Sequence, residues 1–324
     1  MNLIIKPTGR CNFNCKFCSA NKLDIQHPSD SKVPEQIREL ILKLNPKSII
    51  ATGGEPLMLD PEYYYDLHSI ADTPVSATTN LKDFYYHPEK WAGLFKERWF
   101  GIATSFNYGD TRLWGPNEVY TEEMFIKVMD KYREYVGDDI PPFIAVIDEN
   151  NVDTIIDTVL LAKRLGTQVK INNAIGVGLQ DKTFPRYKIF EQYLKIIDMG
   201  LEKYEYYCAT RTIDECPRNI KHFCSSAIRC CYVDNSGKLH VGICDEQVSM
   251  GYEIPEDQIV PESDFPKAEI LDPSEYISPE CPYCELYSLC NGCNTNRREA
   301  KKDPNYCEEM KKLKDGIIET GWLI

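Results

Sequence analysis

Between Cys18 and Cys208 the chain has no cysteine, and there short apolar runs alternate with runs at helical spacing. Runs of strand length stand at residues 3–6, 48–52, 75–79, 100–105, 142–147 and 168–172. Residues 34–43, 61–70, 89–96, 121–135, 152–165 and 186–199 read as helices, the first through Ile37, Leu40, Ile41 and Leu44. Strands separated by helices cannot pair as hairpins. They imply a parallel sheet with right-handed crossovers, hence an α/β fold. Six units are too few for a closed eightfold barrel, and in barrels of this type the chemistry sits at the C-terminal strand ends.

The chain has 324 residues, enough for one large or two ordinary domains. A net charge of −13 argues against a nucleic-acid groove, which needs a basic face. No apolar run reaches the ~20 residues of a membrane helix, and no signal peptide precedes the first cysteine. Fourteen cysteines in a long chain without a signal point to metal in a reducing cytoplasm, not to a disulfide scaffold.

Directly after the first strand come Cys11, Cys15 and Cys18, spaced C-x3-C-x2-C, with Phe17 before the last. Three thiolates on one loop suit an iron–sulfur cube, which they leave with one open iron. A zinc knuckle with a borrowed ligand and cysteines awaiting disulfides are the alternatives. Gly53-Gly54-Glu55-Pro56 follows the second strand; alone it reads as an ordinary turn. Thr79-Asn80 ends the third strand, Ser105-Phe106-Asn107 the fourth, and an Asp148–Asn151 run, whose simplest reading is a helix cap, the fifth. Lys170 stands on the sixth. The tyrosine runs at 63–65 and 204–207 read as core and rim.

The cysteine triplet and the Gly-Gly-Glu turn after strand two resemble the radical SAM superfamily, whose core is a partial (β/α)6 barrel. The resemblance implies a [4Fe–4S] cluster on Cys11, Cys15 and Cys18 and S-adenosylmethionine as cofactor. It implies that Gly53, Gly54 and Glu55 receive the methionine amino group, with Asn80 and Ser105 near the cofactor's ribose.

Eleven cysteines follow residue 205. Cys281, Cys284, Cys290 and Cys293 form two CxxC pairs, with Cys307 beyond and Cys224, Cys230, Cys231 and Cys244 upstream. A turn at Asp234–Gly237 reads as a hairpin before Cys244. A zinc ribbon is the alternative for the CxxC pairs. The pattern resembles the SPASM extension, a cysteine-rich C-terminal domain with two auxiliary [4Fe–4S] clusters. The resemblance divides the chain into a radical SAM core at 1–205 and a SPASM domain at 206–324. It implies a distal cluster on Cys281, Cys284, Cys290 and Cys307, and a proximal one on Cys224, Cys230, Cys244 and Cys293. Cys230 and Cys231 compete for one place. The Cys290–Cys293 spacing is one residue short of the common form. Cys208 and Cys216 are left over.

Asp245, beside Cys244, resembles the proposed base of sulfatase-maturing members. The expected activity is cleavage of S-adenosylmethionine to a 5′-deoxyadenosyl radical, which abstracts a hydrogen atom from a ribosomal peptide or protein. Oxidation, a crosslink or epimerisation would follow. A one-electron reductant such as flavodoxin or ferredoxin is implied. The triplet starts at residue 11, so a leader-binding protein, if used, is expected to be separate. The alternatives are a small sugar or aminocyclitol as substrate, or a non-catalytic iron–sulfur or zinc protein.

Overall fold

The computed structural model describes residues 2–18, 20, 23–26, 29–174, 184–210, 228–242 and 301–319. These fall into two compact units. The first holds described residues up to 144 together with 228–242; the second holds 145–174, 184–210 and 301–319.

In the first unit, β1 (Asn2–Ile5), β2 (Ser48–Ala51), β3 (Val75–Thr78) and β4 (Phe100–Ser105) pair in parallel in chain order. Between them run α1 (Glu35–Leu44), α2 (Pro61–Ala71), α3 (Lys82–Tyr86) and α4 (Pro88–Phe95). After β4 come a two-stranded ribbon, β5 (Leu113–Gly115) and β6 (Glu118–Val119), then α5 (Glu122–Tyr135). Thr121 starts α5 by accepting from Met124 N–H at 3.3 Å, with Glu122 and Glu123 in the first turn, where the helix dipole favours acids. β7 (Phe143–Ile147) joins β4 in parallel through Phe143 and Ile144.

The strands have two unlike faces, as a period of two requires. Leu3, Ile5, Ile49, Ala51, Val75 and Ala77 are buried on one face. That face is covered by Ile37, Leu40 and Ile41 of α1 and by Tyr63, Tyr64 and Leu67 of α2. Ile4, Ile50, Ser76 and Thr78, on the other, are only half-buried.

In the second unit, α6 (Ile155–Leu165) leads to β8 (Val169–Asn173), and α7 (Arg186–Asp198) is followed by α8 (Tyr206–Thr210). The remaining elements return to the first unit and then close the second. β9 (Ile228–Val233) pairs in parallel with β1, and β10 (Leu239–Gly242) antiparallel with β9, at the edge of the first unit's sheet. The hairpin expected around Asp234–Gly237 is this pair, with Asp234 Oδ1 accepting from Ser236 N–H and Lys238 N–H. In the second unit, α9 (Tyr306–Glu319) packs on α7, with Tyr187 and Tyr306 rings 5.7 Å apart.

The α/β class and the parallel sheet are as the sequence suggests, and all six expected strands are present. No described helix is long and apolar enough to cross a membrane.

Candidate active site

The loop after β1 carries the three thiols, and the ends of β2, β3 and β4 converge on it. Cys11 is exposed as a residue, and Cys15 and Cys18 are half-buried. Phe13 N–H points at the Cys11 sulfur at 3.4 Å, and Cys18 N–H bonds the Cys15 carbonyl at 3.2 Å. Among the described residues no disulfide forms, and no three Cys, His, Asp or Glu side chains converge on one point as ligands of a single ion do. A four-iron cube makes no such demand, because each thiolate binds a different iron. The donor set therefore fits a cube.

The Gly53-Gly54-Glu55 turn is pressed against the backbone that leads into this loop. Gly54 N–H bonds the Thr8 carbonyl at 2.9 Å, and Glu55 N–H bonds the Arg10 carbonyl at 2.7 Å. A Cβ on Gly54 would stand 2.1 Å from the Arg10 carbonyl oxygen, and Gly53 has φ +116. Both positions therefore need glycine for reasons internal to the fold.

Glu55 is buried and its carboxylate ties β2 to β3. It accepts from Leu57 N–H at 2.9 Å, from the Thr79 hydroxyl at 2.5 Å and from Asn80 N–H at 2.7 Å. Burial pushes it up to about 7, against the pull of those three donors. Asn80 turns back to the cysteine loop: its amide donates to Asn12 Oδ1 at 2.8 Å and reaches the Cys11 sulfur at 3.9 Å. Burial of the sulfur pushes Cys11 up to about 12, against the pull of Phe13 N–H and with Glu55 and the two neighbouring thiols adding to the rise. A metal that binds there must displace the proton.

Residues 108–120, between β4 and α5, form a strap over the same loop. Asn14 N–H bonds the Leu113 carbonyl at 3.1 Å, and Lys16 N–H bonds the Thr111 carbonyl at 2.8 Å. Lys16 also pairs with Asp110 at 2.7 Å. Phe13 lies against Trp114 and Tyr120 at ring distances of 5.3 and 5.1 Å. The Lys82 ammonium sits 4.9 Å above Trp114 and donates to the Asn12 carbonyl. Arg112 is buried. Its guanidinium donates to Asn107 Oδ1 and Ser105 Oγ, both at 2.9 Å, and lies 5.0 Å from the Phe17 ring centre. Burial raises Cys15, and the Arg112 charge opposes that rise.

Sequence reasoning passed over this strap. Its one local signal was Gly115-Pro116-Asn117, turn residues between Trp114 and Tyr120. A single arginine in an aperiodic segment carries no signature.

Of the other expected residues, Cys230 and Cys231 lie on β9, both fully buried. Cys230 is in register with Ile4 and packs with Ile25 and Tyr232. Cys231 is in register with Ile5, on the face covered by the helices, and burial pushes it well up. In the second unit, Cys307 is half-buried near the start of α9. The Asp148–Asn151 run does not cap a helix with a side chain. Asn151 Oδ1 accepts from Asp148 N–H at 2.8 Å and closes its own turn. Lys170 lies 5.2 Å from the Tyr206 ring centre. Cys208 N–H donates to the buried Glu205 carboxylate at 2.8 Å. Cys216, Cys224, Cys244, Asp245, Cys281, Cys284, Cys290 and Cys293 lie outside the described residues.

Residues 5–162 match the radical SAM superfamily. The GTP 3′,8-cyclase of Aquifex aeolicus (strain VF5) is 22% identical over 214 residues, 61% of this chain. The match spans 57% of that protein's length. Among solved structures, native anSMEcpe with bound AdoMet and Cp18Cys peptide has a TM-score of 0.65 at 17% identity, over 98% of this chain and 96% of that one. At that identity the likeness is one of fold. SuiB of Streptococcus suis, bound to precursor peptide SuiA, aligns with a TM-score of 0.49 at 15% identity, over 91% of this chain and 70% of that one.

Proposed function

From the premise that this chain is a radical SAM superfamily enzyme, we propose that it abstracts a hydrogen atom from a peptide and leaves it oxidised, crosslinked or epimerised. The observation that carries the reading is the cysteine loop, held at the strand ends by the Gly53–Glu55 turn, Asn80 and the strap. Cys11, Cys15 and Cys18 would hold a [4Fe–4S] cluster, and that cluster would supply the electron for reductive cleavage of S-adenosylmethionine to a 5′-deoxyadenosyl radical.

The protein's part is to hold, orient and exclude water. Asn80 fixes the loop through Asn12, and Glu55 fixes the end of β3 through Asn80 N–H. In this reading the Gly53–Glu55 backbone faces the methionine amino group, and Asn80 and Ser105 border the ribose. Ser105 Oγ already accepts from Arg112 and keeps its own proton to donate.

The reading extends to a core at 1–205 and a SPASM domain at 206–324 with two auxiliary clusters. Cys281, Cys284, Cys290 and Cys307 hold one; Cys224, Cys230, Cys244 and Cys293 hold the other. The auxiliary clusters would take the electron lost when the substrate radical is oxidised, and Asp245 would accept the proton released with it. A cytoplasmic flavodoxin or ferredoxin is the electron donor, and any leader-binding protein is a separate partner.

A peptide substrate is supported by the fold shared with a peptide-bound structure along nearly the whole chain. A small polar substrate is the second reading, favoured by the sequence likeness to a GTP 3′,8-cyclase. The test is anaerobic reconstitution with iron and sulfide, then reductant, S-adenosylmethionine and candidate substrates. About twelve iron atoms per chain are expected for three cubes. Faster 5′-deoxyadenosine release with a peptide, and a mass change on that peptide, support the first reading. Release stimulated only by a sugar or nucleotide supports the second.

A further inference from the structure

We infer that Arg112 is the built-in counter-charge of the cysteine loop, holding a fixed positive charge opposite Cys15. The inference rests on the reading that this loop binds a four-iron cluster.

The register is set by two backbone bonds. Asn14 donates to Leu113 and Lys16 to Thr111, so Cys15 stands opposite Arg112 in a short antiparallel pairing. The guanidinium is buried there, 5% exposed as a residue, which makes an unneutralised charge costly. Its hydrogen-bond partners are both neutral: Asn107 Oδ1 and Ser105 Oγ. Its third neighbour is the face of Phe17, between Cys15 and Cys18. No carboxylate among the described residues pairs with it. Of the other cations at the loop, Lys16 pairs with Asp110 at 2.7 Å, and Lys82 is different. It is partly exposed, faces Glu118, and is held by backbone carbonyls of Asn12 and Trp114.

A buried arginine is retained where an anion answers it. The ionisable groups that Arg112 faces are Cys15, Tyr120, Cys18 and Cys11; burial pushes Tyr120 well up and keeps it neutral, whereas the three thiolates exist once metal has displaced their protons. Three thiolates carry more negative charge than the cube's core offsets. An electron taken from an external one-electron reductant adds one further negative charge. A fixed cation beside the loop makes that addition easier, and in a low-dielectric site the effect is not screened away.

The test is a redox titration of the reconstituted full chain, followed by electron paramagnetic resonance. The loop's own signal is identified as the one missing from the C11A/C15A/C18A variant. R112M removes the charge, and R112K keeps it without the planar fork. The reduced fraction at a fixed potential is expected to fall roughly tenfold in R112M, equivalent to about 59 mV for one electron. R112K is expected to stay within about threefold of wild type. An unchanged titration in R112M overturns the inference, and so does R112K falling as far as R112M. Should R112M take up no iron, N107D decides. It keeps Arg112 and gives it a carboxylate partner, so a lowered reduced fraction supports the counter-charge and an unchanged one overturns it. A wild-type signal identical to that of the triple cysteine variant removes the cluster reading itself, and the inference with it.

Discussion

The loop at 11–18 and strand β9 both carry cysteines in the first unit, on two kinds of backbone. In β9 every residue is committed to the ladder, and Cys230 and Cys231 take opposite faces among apolar neighbours. Cys231 is a small buried hydrophobe pushed well up by burial alone. The loop has no such ladder. Its N–H groups go to the strap, to the Cys11 sulfur or to the Cys15 carbonyl, and its neighbours include Asn80, Lys82 and Arg112. Counting cysteines treats the two segments alike. The charge and hydrogen-bonding capacity around each sulfur separate the loop thiols from Cys231.

The sharpest way to break this contrast is to remove one thiol from each segment. C15A is expected to lower 5′-deoxyadenosine formation by roughly a thousandfold or more, whereas C231A should cost only about 1 kcal/mol of stability. Comparable activity losses in the two variants would erase the distinction.

Next in size is Gly54, where a Cβ must meet a backbone oxygen at 2.1 Å. G54A is expected to destabilise by about 3 kcal/mol and to lower iron uptake, because the clash bears on the segment entering the loop. Wild-type iron content and melting in G54A would mean that this turn does not position the loop.

Cys231→Ser probes β9 more finely. A hydroxyl there has no apolar burial to gain and must find a partner, at a cost of about 2 kcal/mol in urea unfolding. A neutral result would show that the helix-covered face is polar enough to receive it.

The smallest effect concerns Glu55, and its sign follows from linkage. The folded value, about 7, lies above the ordinary one, 4.5. Between those values the unfolded chain has lost the proton that the folded chain keeps. This group's contribution therefore falls as pH rises from about 4.5 to 7 and is level above that. The stability of wild type relative to E55Q should decline across that window in chemical denaturation. A flat or rising difference would mean that Leu57, Thr79 and Asn80 hold the carboxylate ionised throughout.

Much of the first unit's fold was legible because parallel strands and amphipathic helices write their periods into the sequence. Ile37, Leu40, Ile41 and Leu44 mark the buried face of α1, and all four are buried. The cysteine loop and the Gly-Gly-Glu turn were legible as motifs. Three things were not. The parallel pairing of β9 with β1 joins residues more than two hundred positions apart, and no local pattern encodes it. Which of Cys230 and Cys231 takes the helix-covered face depends on that register. Arg112 depends on another, between a strap and a loop roughly a hundred residues earlier. The turn's glycines were expected to receive the methionine amino group, and no sequence pattern shows that the Arg10 carbonyl also excludes a side chain at Gly54.

The central claim is that the 11–18 loop, and not the cysteine-rich C-terminal third, is the site where S-adenosylmethionine is opened. The direct measurement is 5′-deoxyadenosine formed by the reconstituted wild type and by C11A/C15A/C18A, with iron counted in both. The account predicts product from wild type, and none from a triple variant that retains about eight iron atoms. Product from the triple variant at the wild-type rate, or none from an iron-loaded wild type, would contradict it.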